Sequence, residues 1–211
     1  MNWEQYKTDL PVGTSGAWSV EHFTVSKHDA EFGMLRSVIS SGSRGRYVPE
    51  GTYTGLFRNG NVIMSDTPDE IRDHRDPINM ARGNCLINGL GLGVVAEAML
   101  RKPEVTHVTV VDLSPDVIAL VGPHLKTKYG DRLTIVQADA YDWKPPKDVF
   151  YDTVWHDIWD DLCGDNLNGM AKLHRKYGKR CGWQGSWGKE LCKDARRRSD
   201  RMCKAFRPWG G

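Results

Sequence analysis

The sequence predicts an α/β fold in which helices cover a parallel sheet, preceded by a small β-rich segment. From Asn84 onward, short apolar runs without polar alternation are separated by helical segments, which is typical of parallel strands buried on both faces. Before Asn84, two apolar arms flank Asn59-Gly60, a pair that tolerates the positive φ angles of a tight hairpin turn. We therefore expect a β-rich extension over residues 1–80 and an α/β domain over residues 81–211.

Length and composition limit the class of protein. The chain has 211 residues, of which 39% are hydrophobic and 27% charged, and this suits one ordinary domain with a small extension. No run approaches the roughly 20 apolar residues of a membrane helix, and the N-terminus lacks a signal-peptide pattern. Five cysteines without a Cys-x-x-Cys pair favour reduced thiols over disulfides or a zinc site. We expect a cytoplasmic protein with no membrane partner and no bound metal.

The net charge of +2 conceals a basic C-terminal segment. Residues 172–211 contain 13 lysines and arginines but only three acidic residues, a net charge of +10, so residues 1–171 carry −8. A segment of this kind is typical either of a solvated helix face, which we prefer, or of a surface that binds nucleic acid. Nucleic-acid binding through this segment is therefore kept as an alternative.

The N-terminal elements follow from local composition. Residues 18–25 are rich in β-branched and aromatic side chains and predict a strand, and residues 28–39 predict a short helix. Residues 40–45 form a Gly/Ser loop in this prediction. The hairpin arms are residues 53–58 and 61–65, on either side of the Asn-Gly turn.

Four buried strands and the helices between them are predicted for the α/β part. The strands are residues 85–87, 107–111, 133–136 and 151–155, and the first helix is residues 94–101. Ser114-Pro115 is a favourable start for the next helix, and Gly122-Pro123 should bend or break that helix before Tyr129.

After Leu162 the sequence predicts no further strand. Residues 166–177 and 189–206 are predicted helices, joined by a Gly/Trp-rich connection over residues 182–188. Four strands are fewer than a doubly wound domain normally has, so we expect a shortened sheet or one completed by the N-terminal β elements. An exposed last strand would make a homodimer plausible.

A glycine turn marks the candidate nucleotide site. Gly89, Gly91 and Gly93 follow a predicted strand and precede a helix, where glycines allow a sharp turn and the close approach of a ligand. Asp112 ends the next strand 19 residues beyond Gly93, which suits a carboxylate that accepts hydrogen bonds from both ribose hydroxyls. Val94 stands where a dinucleotide fingerprint requires glycine, which argues against NAD.

Two more acidic residues end neighbouring predicted strands. Asp139 follows the third strand and suits an adenine amino group, and Asp157 closes the fourth strand. Ligands of open α/β sheets bind just beyond such strand ends, so these acids and the glycine turn predict one site. His156 and Asp157 should point to opposite faces of the sheet, and we expect Asp157 to face the ligand.

The order Gly-x-Gly-x-Gly, Asp112, Asp139-Ala140 and Asp157 resembles class I S-adenosylmethionine-dependent methyltransferases. The hairpin and the stretch from Gly60 to Asp69-Glu70 are similar to the spermidine-synthase-like branch of that superfamily, and the likeness covers residues 53–162. The resemblance implies a Rossmann-like class I methyltransferase sheet with S-adenosylmethionine as cofactor. It implies cofactor contacts from Gly89, Gly91, Gly93, Asp112, Leu113, Asp139 and Ala140.

The same resemblance implies that Asp157 is catalytic and contacts the substrate. It could orient or deprotonate an incoming nucleophile, which is all that transfer from a sulfonium requires of the protein. Trp159, just past the strand end, is a second candidate for substrate contact.

The sequence leaves more than one reaction open. Where aminopropyltransferases carry an aspartate in the glycine turn this chain has Leu92, and their hairpin glutamine is Met64. A polyamine needs several carboxylates for its ammonium groups, and few stand in recognisable places. We therefore expect methyl transfer to an unidentified acceptor. The alternatives are aminopropyl transfer from decarboxylated S-adenosylmethionine, another cleavage of the sulfonium, or a non-catalytic nucleic-acid-binding module.

Overall fold

The computed structural model describes residues 3–39 and 47–205. The predicted loop at residues 40–45 and Phe206 of the last predicted helix lie outside the described residues.

The N-terminal part is a four-stranded antiparallel sheet whose strands follow one another in chain order. A short 3₁₀-helix, Trp3–Tyr6, precedes the sheet, and helix α1 (Lys27–Ile39) connects its second and third strands. The strands are β1 (Gly13–Ser15), β2 (Trp18–Val25), β3 (Gly51–Arg58) and β4 (Asn61–Ser65). Asn59 and Gly60 have φ angles of 50° and 77°, as a tight primed turn requires, so the predicted hairpin is confirmed.

The second part is a five-stranded, entirely parallel sheet in the order β7-β6-β5-β8-β9. Two short helices, α2 (Pro68–Asp73) and α3 (Arg75–Met80), connect it to the hairpin. The strands are β5 (Gly83–Asn88), β6 (Val105–Asp112), β7 (Leu133–Gln137), β8 (Tyr151–His156) and β9 (Cys181–Ser186). The helices are α4 (Val94–Leu100), α5 (Pro115–Tyr129), α6 (Asn166–Tyr177) and α7 (Lys189–Ala205). The predicted α/β class with a hairpin extension is confirmed.

The core explains why the central strands are apolar throughout. Cys85, Ile87 and Val110 pack on one face of the sheet, in the cluster that includes residues of α4 and α5. Leu86 and Val111, their neighbours along the same strands, pack on the other face with residues of α6. Because successive side chains alternate between two buried faces, no polar alternation remains.

Strand β9 corrects the prediction that no strand follows residue 162. The predicted Gly/Trp-rich connection is in fact the edge strand, paired in parallel with β8. Trp183 of β9 stacks on Trp155 of β8 with 6.4 Å between ring centroids and 7° between planes. A Cβ at Gly185 would lie 2.7 Å from the ring of Trp183 and 2.8 Å from that of Trp155. The packing of the two indoles therefore requires glycine at this position, although the composition of the segment is typical of a loop.

Helix α5 corrects a second prediction, because it runs unbroken from Pro115 to Tyr129 with Pro123 inside it. Val121 and Leu125, on either side of Gly122-Pro123, are fully buried. A Cβ at Gly122 would lie 3.3 Å from Ile135 of β7, so this helix lies close to the sheet at that point. Burial of the helix face outweighs the local cost of proline.

The C-terminal helix and the sheet edge bear on possible partners. Arg196, Arg197, Arg198 and Arg201 of α7 are exposed, whereas Cys192 of the same helix is buried. Nucleic-acid binding through the basic C-terminal segment and a homodimer both stay predictions. In the described ranges, no helix is long and apolar enough to cross a membrane.

The role assigned to Gly185 predicts a stability change. Gly185→Ala should lower the free energy of unfolding by about 1–3 kcal/mol, because its Cβ overpacks the two indole rings. Gly33→Ala on α1, where the nearest atom would be 3.8 Å away, should be neutral or slightly stabilising. Urea denaturation of both variants measures the difference, and equal stability would show that β9 does not pack as described.

Candidate functional site

A cavity of about 760 Å³ lies at the carboxyl ends of β5, β6 and β8, which is within the range of ligand sites. The three strand ends are fixed in step by backbone hydrogen bonds. The Gly89 amide donates to the carbonyl of Val111, and the Asp157 amide donates to the carbonyl of Asn88, each at 2.8 Å. The chain order also reverses between β5 and β8, which is where open α/β sheets bind their ligands.

Most of the residues predicted from the sequence meet in this cavity. Those that line it are Gly89, Gly91, Asp112, Leu113, Asp139, Ala140, Asp157 and Trp159. Gly93 does not line the cavity. It precedes α4 with a φ of +75°, and Leu125 and Val121 of α5 occupy the space where its Cβ would point.

The glycine turn is packed more tightly than ligand approach alone would require. Gly89 has a φ of +102°, and a Cβ there would lie 1.8 Å from the carbonyl oxygen of Asp157. At Gly91, with a φ of +50°, a Cβ would lie 2.2 Å from Sδ of Met64, which also accepts a hydrogen bond from the Leu92 amide at 3.1 Å. Contacts within the chain therefore require these glycines, and Met64 connects the hairpin to the turn.

Asp112 is held in place by two backbone amides. Its Oδ2 accepts from the Leu90 amide at 2.6 Å and its Oδ1 from the Ser114 amide at 2.8 Å. Burial raises the pKa of this carboxyl, and the two amides oppose that effect. Each oxygen keeps a second lone pair, so the carboxylate is preorganised to accept two adjacent hydroxyl donors.

Asp139 is also held by backbone amides, but only one of them donates to its carboxylate. Its Oδ1 accepts from the Tyr141 amide at 2.7 Å, and its backbone carbonyl accepts from the amides of Asp142 and Trp143. The turn that follows β7 therefore fixes the carboxylate at the cavity wall. Its second oxygen can accept from an amino group.

Asp157 faces a histidine that the sequence analysis did not connect with the site. Nδ1 of His74 lies 3.7 Å from Oδ2 of Asp157, and the two side chains are 3% and 22% exposed. The same nitrogen has no hydrogen-bond partner in the described part of the chain, and the ring meets Trp155 edge-on. Burial raises the pKa of Asp157, and the nearby His74 opposes this. No sequence spacing marks His74, because only the fold brings α2 and α3 against β8.

The cavity is strongly acidic. Its lining includes six carboxylates and, among the described residues, a single Lys or Arg side chain, that of Arg58. Besides the three predicted strand-end acids, the carboxylates are those of Glu70, Asp73 and Asp160. In the sequence, few carboxylates stand in recognisable places for ammonium groups, whereas the fold brings three further ones to the cavity. Glu70 and Asp73 come from α2, and Asp160 comes from the segment that follows β8.

Glu70 illustrates how these carboxylates are held. The amide and the hydroxyl of Ser65 donate to its two oxygens at 2.7 and 2.9 Å. Burial nevertheless raises its pKa, and the neighbouring charges of Asp157 and Asp73 raise it further. A cation in the cavity would relieve this repulsion.

His156, the last residue of β8, does not line the cavity, and its ring packs against α6. Its Nδ1 accepts from the side-chain amide of Asn88 at 2.8 Å, and its ring is fully buried beside His174 and Tyr177. Burial lowers the pKa of His156 to about 3, so the ring is neutral at physiological pH. Within residues 3–39 and 47–205, no group of three or more His, Cys, Asp or Glu residues could hold a metal ion.

Comparisons with known proteins agree with this geometry. No protein-family model matches the chain. It is 34% identical over 130 residues to polyamine aminopropyltransferase 1 of Streptomyces coelicolor, a match that covers 56% of this chain and 24% of the relative. It is 35% identical over 101 residues to polyamine aminopropyltransferase 2 of Ralstonia nicotianae, covering 42% of this chain and 20% of the relative. The matches thus span about a quarter or less of these curated relatives.

A solved structure extends the likeness to the whole fold. Spermidine synthase from Thermotoga maritima superposes with a TM-score of 0.50 at 17% identity, covering 91% of this chain and 62% of that one. At this identity the likeness concerns the fold alone. The partial sequence match to the curated relatives and the fold likeness to this structure agree with the resemblance to the spermidine-synthase-like branch.

The buried state of His156 predicts a pH dependence of stability. Its folded pKa of about 3 lies below the unfolded value of 6.5, so the unfolded chain binds the proton first. The contribution of His156 is full above pH 6.5 and is lost as the pH falls toward 3, at up to about 1.4 kcal/mol per pH unit. His156→Gln should flatten the fall in unfolding free energy between pH 6.5 and 4, measured by urea titration. An unchanged slope would contradict the buried, neutral ring.

Proposed function

We propose that the chain transfers an aminopropyl group from decarboxylated S-adenosylmethionine to an amine acceptor. The observation that carries this proposal is the charge of the cavity, with six carboxylates and one guanidinium. S-adenosylmethionine carries a carboxylate on its aliphatic arm, whereas the decarboxylated donor carries two positive charges and no negative one. An acidic cavity therefore favours the decarboxylated form.

The adenosine half of the donor fits the strand-end acids. Asp112, with both oxygens oriented by backbone amides, suits the two ribose hydroxyls, and Asp139 suits the adenine amino group. Leu113 and Ala140 supply apolar contacts beside these acids, and Gly89 and Gly91 border the aliphatic arm. These roles are part of the proposal.

Asp157 is proposed as the group that receives the proton. A sulfonium donor supplies an activated carbon and a neutral thioether leaving group. The amine lone pair forms the new C–N bond while the C–S electron pair passes to sulfur, which leaves as methylthioadenosine. The amine proton then passes to Asp157, whose raised pKa suits a general base better than an exposed carboxylate.

His74 is proposed to position Asp157. It lies 3.7 Å from the carboxylate and is almost completely buried at the cavity wall, so it can restrict the orientation of the Asp157 side chain. Glu70 and Asp73 surround the same region with negative charge, which suits ammonium groups of the donor and the acceptor. The names of the curated relatives support the same reaction class, although each match is partial.

Methyl transfer is the second candidate, and the contact of Met64 with the glycine turn favours it. The thioether of Met64 accepts from the Leu92 amide, so this part of the cavity is apolar rather than acidic. A methyl donor would leave S-adenosylhomocysteine instead of methylthioadenosine. The two candidates therefore differ in their products.

Product identification separates the candidates. With both donors and a panel of amines, we expect methylthioadenosine from the decarboxylated donor and no S-adenosylhomocysteine, measured by liquid chromatography with mass detection. Asp157→Asn should bind methylthioadenosine as the wild type does but lose at least about a hundredfold in turnover, because the base is absent. S-adenosylhomocysteine as the main product would replace aminopropyl transfer with methyl transfer.

A further inference from the structure

Arg58 forms an ion pair at the rim of the cavity. It is the last residue of β3, and its Nη2 lies 2.6 Å from Oδ2 of Asp160, in the segment that follows β8. The two side chains are 43% and 48% exposed, and both line the cavity. The guanidinium also lies 5.2 Å from the ring centre of Trp18. The hairpin sheet therefore places a guanidinium at the rim of an otherwise acidic cavity.

This ion pair leaves the guanidinium available to a ligand. An exposed pair of this kind contributes only about 0–1 kcal/mol, so the fold does not depend on it. A guanidinium has five N–H donors, and the contact with Asp160 uses one of them. Two parallel donors of arginine match the two oxygens of a carboxylate.

The position of Arg58 also disfavours one class of acceptor. A diamine would bring its second ammonium to the ion pair of Arg58 and Asp160, whose opposite charges cancel and offer no net attraction to a cation. An amine that ends in a carboxylate would instead meet the guanidinium. The inner carboxylates Glu70, Asp73 and Asp157 would still surround the amine that reacts.

We infer that the acceptor is an amino acid, with its amine at Asp157 and its carboxylate on Arg58. The inference rests on the proposed function and names the acceptor class for the same site. The new C–N bond forms at the amine as described above, and the carboxylate is bound but not consumed. Arg58 is then a specificity-determining residue rather than a catalytic one.

The test compares amino acids with diamines of matched length. Acceptors are ω-amino acids of three to six carbons, including 4-aminobutyrate, and the corresponding diamines, including 1,4-diaminobutane. The variants are Arg58→Leu, Arg58→Lys and the control Arg75→Leu, an exposed arginine of α3 outside the cavity. Release of methylthioadenosine gives kcat/KM for each pair. Calorimetry with protein saturated in methylthioadenosine gives acceptor affinity independently of turnover.

We expect the wild type to prefer at least one amino acid over its matched diamine by about tenfold or more. Arg58→Leu should lose or reverse that preference, Arg58→Lys should retain part of it, and Arg75→Leu should keep all of it. The calorimetric affinities should change in the same order.

Different results would overturn the role of Arg58 and aminopropyl transfer. Diamines preferred by the wild type, with a ratio that Arg58→Leu leaves unchanged, would overturn the assignment of Arg58 and leave aminopropyl transfer intact. An absence of methylthioadenosine with every acceptor would overturn aminopropyl transfer. In that case, equal affinities for 4-aminobutyrate and 1,4-diaminobutane in the calorimetric arm would overturn the assignment of Arg58 as well.

Discussion

The site depends on one constraint, which is that three adjacent parallel strands end at the same level. Backbone hydrogen bonds from Gly89 to Val111 and from Asp157 to Asn88 fix the ends of β5, β6 and β8 relative to one another. Asp112 extends this restraint, because its carboxylate accepts the amides of Leu90 and Ser114 from two different turns. The absence of a Cβ at Gly89 allows the closest of these approaches. The positions of the strand-end acids therefore follow from backbone geometry, and the region proposed to hold adenosine is held by backbone hydrogen bonds.

A second feature of the site is the excess of negative charge in the cavity. Burial raises the pKa values of Glu70, Asp112 and Asp157, and the negative charge of Asp73 raises those of Glu70 and Asp157 further. A cationic ligand offsets both contributions, so its binding should be favoured and coupled to release of protons from these carboxyls. The hairpin sheet completes the cavity on the other side, through Met64 on the glycine turn and Arg58 at the rim. The cavity thus combines an acidic interior with one guanidinium at its rim, which is paired with Asp160.

Local sequence was sufficient for features that local chemistry decides. The Asn59-Gly60 turn and the apolar strands β5 to β8 follow from backbone preference and from burial on both faces, and Asp112, Asp139 and Asp157 follow from where those strands end. Features decided by distant contacts were not predictable. Strand β9 contains Gly185 because two tryptophans need its space, and α5 passes through Pro123 because its flanking side chains are buried. Glu70 and Asp73 of α2, and His74 directly after it, line the cavity, and no spacing in the sequence marks this position.

The relative affinity of the protein for the two donors tests most directly whether the charge of the cavity selects the donor. Calorimetric titration of the protein with decarboxylated S-adenosylmethionine and with S-adenosylmethionine, at low ionic strength, gives the ratio of the two dissociation constants. An acidic cavity predicts that the decarboxylated donor binds at least about tenfold more tightly, with the preference reduced in high salt. Equal affinity, or tighter binding of S-adenosylmethionine, would contradict the account.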